Sequence, residues 1–172
     1  MGLLRNQQEE DRRGKSLAIL ERLLVDPAFL RSKTILFYAS FDGEVETFEM
    51  MTQAKRLGKQ IALPTIFRTE KKLVPILVED LDDLEEGAYG IRQPRFSADR
   101  CLLPEDLDFC LVPGVGFDRS NLRLGRGAGY YDRFLCTLPR AIPTVGLAFR
   151  FQILDRLPRQ PHDVAVSRVI SE

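Results

Sequence analysis

The sequence predicts a single α/β layered domain built on a largely parallel sheet. Strand-length apolar runs alternate with segments of helical spacing, the order that yields parallel strands joined by crossover helices. Two runs, Thr34–Ala39 and Phe109–Val112, are continuously apolar, as in strands covered on both faces. With 172 residues, 44% hydrophobic and 29% charged, the chain has the length and composition to bury one core.

The elements follow in order. The polar stretch before Lys15 opens a helix whose apolar face, from Ser16 onward, is Leu17, Leu20, Leu23 and Leu24. Asp26-Pro27 interrupts it. Thr34–Ala39 is the first strand. Thr47 is placed to cap a helix through about Leu57, which Gly58 stops. Gln60–Leu63 is the next strand. Lys72–Val78 is another, assigned to an edge because Pro75 has no N–H for a ladder. Leu81–Glu86 reads as a helical turn and Gly87–Pro94 as a loop. Phe109–Val112 is a buried strand between Asp108 and Pro113-Gly114. Tyr130–Leu138 reads as a helix and Thr144–Phe149 as a strand. Phe151–Leu157 reads as a short helix closed by Pro158, and Val164–Ile170 as the last strand.

Composition excludes several classes. Lysine plus arginine equals aspartate plus glutamate at 25 each, so no bulk field attracts nucleic acid or an anionic membrane. No apolar run approaches the roughly 20 residues that span a bilayer, and the polar start is unlike a secretory signal. Cys101, Cys110 and Cys136 lack CxxC spacing and sit among apolar residues, which predicts buried thiols in a reducing, cytoplasmic setting. With His162 the one histidine, a structural zinc site is not expected.

Chemistry concentrates in Arg123–Phe134, RLGRGAGYYDRF. Gly125, Gly127 and Gly129 let the backbone approach a bulky anion and turn N–H groups towards it. The predicted helix start at Tyr130 adds a positive dipole end. Arg123 and Arg126 bring fork-shaped guanidinium groups suited to phosphate oxygens. Asp132 is a hard oxygen ligand of the kind phosphate-bound Mg²⁺ takes. A bare GxGxG also marks flexible turns; the arginines and the Tyr-Tyr-Asp after it favour the phosphate reading. The loop is not a Walker A sequence, since no GK[ST] follows, and its third glycine is misplaced for a dinucleotide fingerprint.

Val112–Leu135, VPGVGFDRSNLRLGRGAGYYDRFL, closely resembles the signature of the 5-formyltetrahydrofolate cyclo-ligases, also called methenyltetrahydrofolate synthetases. GEVET at Gly43–Thr47 resembles the family's EVxT element. LPRQPHDVAVSRVISE at Leu157–Glu172 resembles its terminal motif. The resemblance implies a three-layer α/β/α sandwich. It implies an ATP- and Mg²⁺-dependent conversion of 5-formyltetrahydrofolate to 5,10-methenyltetrahydrofolate, through a phosphorylated formyl group. Carried over by position, Arg123, Leu124, Gly125, Arg126, Gly127, Ala128, Gly129, Tyr130 and Tyr131 would cradle ATP. Asp132 and Asp163 would hold Mg²⁺. Phe41, Glu46, Tyr89, Arg126, Tyr130 and Tyr131 would face the folate, with Arg126 and Tyr130 catalytic. His162 is read as structural. The implied partners are the two small molecules alone, bound by a monomer.

Each residue also has a plainer use. Glu46 could be a solvated acid near a helix start, Asp163 a turn residue, and Phe41 and Tyr89 packing residues. The chain departs from the family pattern in three places. The resemblance is read from about Ser16 onward, so the basic opening helix of the form KxxLRxxxxxxR is expected to be missing. Ala128 stands where many relatives have lysine, and Ser167 replaces an aspartate. These departures keep two alternatives open: a folate- or nucleotide-binding paralogue weakened in catalysis, and a sugar-phosphate or acyl-CoA binder on a similar scaffold.

Overall fold

The computed structural model describes residues 2–161 and 163–172. A helical turn α1 (Gly2–Arg5) precedes the long helix α2 (Glu9–Leu24). Its buried face is Ser16, Ile19, Leu20 and Leu23, whereas Leu17, expected inside, is 44% exposed. Asp26 does more than interrupt. Its carboxylate accepts from the N–H groups of Ala28 and Phe29 and so caps α3 (Pro27–Arg31), with Pro27 in the first turn, where no N–H is needed.

The central sheet has the order β11-β9-β6-β1-β2-β3. Its members are β1 (Thr34–Leu36), β2 (Gln60–Phe67), β3 (Lys72–Val78), β6 (Phe109–Val112), β9 (Thr144–Leu147) and β11 (Arg168–Ile170). Every pairing is parallel except β2 with β3, which is an antiparallel edge hairpin, as Pro75 required. The sheet sorts its side chains by parity. Ile35, Ile61, Phe109, Leu111 and Val145 meet α2, α3 and α4 (Phe48–Arg56) on one face. Leu36, Ala62, Cys110 and Val112 meet α5 (Tyr130–Leu135) on the other. The result is the expected three-layer sandwich.

The second outer layer is mostly not helical. One short helix shares it with a small sheet of order β10-β7-β8, formed by β7 (Gly116–Asp118), β8 (Arg123–Leu124) and β10 (Ile153–Leu154). This corrects the helix expected over Phe151–Leu157: a 3₁₀ turn at Arg150–Gln152 leads instead into β10, paired with β7. The Leu81–Glu86 segment is a 3₁₀ turn followed by β4 (Leu84–Glu86). Part of the expected loop after it is β5 (Arg92–Pro94), which pairs with β4. Helix α5 ends three residues earlier than expected, after Leu135 rather than Leu138.

Two local devices shape the core. Gly58, at φ 74°, closes α4: the Lys59 N–H donates to Ala54 O at 3.0 Å and the Gly58 N–H to Lys55 O at 2.9 Å. At the other end Thr47 does not cap through its side chain. Its hydroxyl donates to Tyr38 O at 2.6 Å, tying the helix start to the chain leaving β1. Phe117 is fully buried with its ring against Gly146 and Gly114; a Cβ on Gly146 would lie 2.4 Å from that ring. Gly146→Ala is therefore expected to overpack the layer, lowering stability by about 2 kcal/mol and Tm by roughly 4–8 °C. Thermal denaturation checks this, and Phe117→Leu in the same chain should recover part of the loss. Of the cysteines only Cys110 is buried; Cys136 is exposed, because it is the C-terminal cap of α5 and faces away from the sheet.

Candidate active site

The parallel strands β1 and β6 end towards one side, and the segments that leave them there, Tyr38–Glu44 and Pro113–Val115, line a cleft of about 840 Å³. Crevices at the carboxyl ends of parallel strands are where open α/β sheets bind ligands. The other walls are Pro64 and Ile66 of β2, the β4–β5 hairpin through Tyr89, the segment Arg123–Asp132, and a strap that supplies Leu157, Pro158, Gln160 and Asp163. Arg5 of the N-terminal turn stands at the mouth.

The walls are pinned by side chains buried behind them. Gln152 donates to Gly114 O at 2.8 Å and Val115 O at 3.2 Å, which fixes the loop after β6. Asp118 is buried and accepts from the Ser120 N–H at 2.9 Å, the Ser120 hydroxyl at 2.7 Å, the Leu122 N–H at 3.0 Å and the Leu157 N–H at 2.9 Å. One carboxylate thus shapes the turn into β8 and holds the start of the strap. Burial alone would raise its pKa; the four donors outweigh that and hold it below the ordinary value. The hairpin is fastened to β2 by Thr65, which donates to Pro94 O at 2.8 Å, and by Gln93, which accepts from the Ile66 N–H at 3.2 Å.

The nine residues Arg123–Tyr131 all line the cleft. Gly127 (φ 93°) and Gly129 (φ 67°) occupy the left-handed region, which explains glycine at both. Helix α5 has six residues, so the loop's own N–H groups and arginines matter more than its dipole. Arg123 is nearly buried. It pairs with Asp132 at 2.9 Å, and its guanidinium lies 5.6 Å from the centre of the Tyr131 ring. Arg126 crosses the cleft, pairing with Asp42 at 2.8 Å and Glu44 at 3.3 Å, and lies over the Phe41 ring at 5.5 Å. On the opposite rim the Tyr89 and Tyr130 hydroxyls lie 3.5 Å apart, with Arg68 over the Tyr89 ring and Arg133 over that of Tyr130.

Phe41, Tyr89, Asp132 and Asp163 join the same cleft. Glu46 does not line it: Arg12 donates to its Oε1 at 3.0 Å and the Ser40 hydroxyl to its Oε2 at 3.3 Å. The carboxylate that GEVET gives to the cleft is Glu44, which the sequence reading missed. Burial pushes the Glu44 carboxyl above its ordinary value, against the pull of Arg126. In extended backbone, side chains two residues apart fall on the same side. Spacing alone would therefore keep the two glutamates together; they part here because Arg12 and Ser40 hold Glu46 away from the cleft. His162 lies outside the described residues.

Arg123 Nε and the Tyr131 hydroxyl are buried on the cleft wall without a hydrogen-bond partner, a demand that a phosphate or ordered water meets. Among the described residues no group of three or more His, Cys, Asp or Glu could hold a metal alone. Asp132 and Asp163 suit an ion that brings phosphate and water ligands with it, as Mg²⁺ does.

Fold and site together define an α/β enzyme domain with a cleft built for anionic ligands. Comparison narrows the class. The sequence profile of the 5-formyltetrahydrofolate cyclo-ligase family matches residues 1–172. A probable 5-formyltetrahydrofolate cyclo-ligase of Caenorhabditis elegans is 32% identical, over 99% of this chain and 87% of its own. The 5-formyltetrahydrofolate cyclo-ligase of Mus musculus is 31% identical, over 98% and 88%. The NMR structure of Aquifex aeolicus 5,10-methenyltetrahydrofolate synthetase superposes with a TM-score of 0.85 at 34% identity, covering 98% of this chain and 84% of that one. The chain belongs to the 5-formyltetrahydrofolate cyclo-ligase family.

Proposed function

We propose that the chain, as one domain and a monomer, converts 5-formyltetrahydrofolate to 5,10-methenyltetrahydrofolate at the expense of ATP. The observation that carries this is the convergence on one cleft of nine consecutive loop residues, the carboxylates of Glu44, Asp132 and Asp163, and Tyr89 against Tyr130 of the loop, all from a single chain.

A formamide oxygen is a poor leaving group. Attack of the formyl oxygen on the γ-phosphorus breaks the bond to ADP and turns that oxygen into part of a phosphate ester. The neighbouring amine then adds to the formyl carbon, loses its proton, and expels phosphate with the formyl oxygen. The protein positions two substrates and stabilises the transferring charge. The glycine loop and Arg123 cradle the phosphates. Arg126 faces the transferring phosphoryl group and the formyl oxygen. Tyr130 and Tyr131 border the folate, with Tyr89 closing its rim and Phe41 its floor. Glu44 is the carboxylate for the pterin, while Glu46 holds Arg12 behind it. Arg5 adds a cation at the mouth. Asp132 and Asp163 would hold Mg²⁺, which neutralises phosphate charge when bound.

No described helix is long and apolar enough to cross a membrane; with the thiols unpaired, we place the enzyme in the cytoplasm. The test is turnover of folinate, followed by the near-UV absorbance of the methenyl product. Product is expected only when ATP and Mg²⁺ are both present. Folinate binding by calorimetry without turnover, in folded protein at high concentration, would support the weakened paralogue instead.

A further inference from the structure

Arg126 reaches the cleft from a glycine loop, the part of the site with the most backbone freedom. A long side chain on such a loop needs something to hold its direction. Three residues of the turn Phe41–Glu44 do so. Phe41 lies beneath the guanidinium, Asp42 takes Nη1 at 2.8 Å, and Glu44 takes Nη2 at 3.3 Å.

Asp42 differs from an ordinary surface partner in three ways. Its other carboxylate oxygen is held by Arg5 Nε at 2.7 Å, so one anion is shared between two guanidinium groups. Its backbone is in the left-handed region, at φ 55°, followed by Gly43 at φ 83°. The loop is wedged against the N-terminal turn: a Cβ on Gly43 would lie 2.2 Å from the carbonyl oxygen of Leu4, and Gln7 donates to Gly43 O at 3.3 Å. Asp42 is thus a fixed post, braced from behind and offered to Arg126 in front.

We propose that Asp42 is the positioning residue of Arg126, setting the guanidinium plane in which it meets the substrates, with the N-terminal turn bracing Asp42 through Arg5. This rests on the reading of Arg126 as the group facing the transferring phosphoryl. Misplacing such a group by about 1 Å can cost on the order of 10²-fold.

Asp42→Asn is the discriminating variant, because asparagine tolerates positive φ and keeps the side-chain shape while losing the charge. In the folinate assay kcat is expected to fall about 10- to 100-fold. The affinity for a non-hydrolysable ATP analogue, by calorimetry, should change less than about threefold, since positioning shows in the chemical step rather than in binding. Arg126→Ala with Asp42→Asn should be no slower than Arg126→Ala alone in single turnover, because an absent side chain cannot be misplaced. Losses that multiply in the double variant would overturn the inference, leaving Asp42 a merely structural residue. So would a kcat for Asp42→Asn within twofold of the unaltered chain, or above it; a rise would make the clasp a brake. Full turnover by Arg126→Ala would overturn both this inference and the reading of Arg126. Loss in Arg126→Ala with Asp42→Asn unaffected would overturn this one alone.

Discussion

Arg126→Ala is expected to lower kcat by about 10³-fold while changing the affinity for ATP far less. Phosphoryl transfer leaves the protein little covalent work, so cations aimed at the transferring group carry much of the rate; an arginine in that position is worth on the order of 10³–10⁵. Arg126 bridges the two walls of the cleft, paired with Asp42 and Glu44 on the far side. Arg123 is nearly buried and engaged with Asp132 and Pro113 O, so it cannot swing over to replace it. Arg126→Lys keeps the charge but loses the planar fork, and should recover only part of the rate. Steady-state kinetics with folinate and ATP, alongside calorimetry of ADP binding, separates the two effects. A kcat within tenfold of the unaltered chain would remove Arg126 from the chemistry.

The second large effect is on stability. Asp118→Ala strands the buried N–H groups of Leu122 and Leu157 and the half-buried N–H and hydroxyl of Ser120, which now share one carboxylate, and is expected to cost about 3 kcal/mol. For a chain of this size that lowers Tm by roughly 6–12 °C. The cleft suffers too, because the turn into Arg123 and the strap towards Asp163 both hang on Asp118. The pH dependence has a definite sign. The folded pKa lies below the unfolded value, near 3.9, so the contribution of the carboxylate is present above that value and is lost as pH falls through the lower folded one. Denaturant melts of Asp118→Asn and the unaltered chain should differ most at neutral pH and converge in acid. A difference that stays constant down to pH 2 would mean that ionisation of Asp118 is not what matters.

Much of this architecture was legible in the residues. The runs at Thr34–Ala39 and Phe109–Val112 announced buried parallel strands, since both faces are apolar and both are covered. Pro75 placed its strand at the edge. The glycine loop is where the sequence placed it on the cleft: all nine residues line it, with Gly127 and Gly129 in the left-handed region. Other features had no local signal. Strand β10 is two residues long and exists because β7 offers it a partner, a tertiary fact that the apolar spacing of Phe151–Leu157 could not carry. Leu17 and Ile19 both fit a helical face, and only the packing of α2 on the sheet chose between them. Glu44 and Glu46 are chemically identical and two residues apart; which one turns inward was settled by Arg12 and Ser40 capturing Glu46.

The central claim is that the formyl oxygen itself is phosphorylated in this cleft. Folinate carrying oxygen-18 in its formyl group, turned over with ATP and Mg²⁺, should release inorganic phosphate bearing the label, one labelled oxygen for each methenyl product formed. Product accompanied by unlabelled phosphate would contradict the account, because the oxygen would then have left the substrate without ever joining phosphorus.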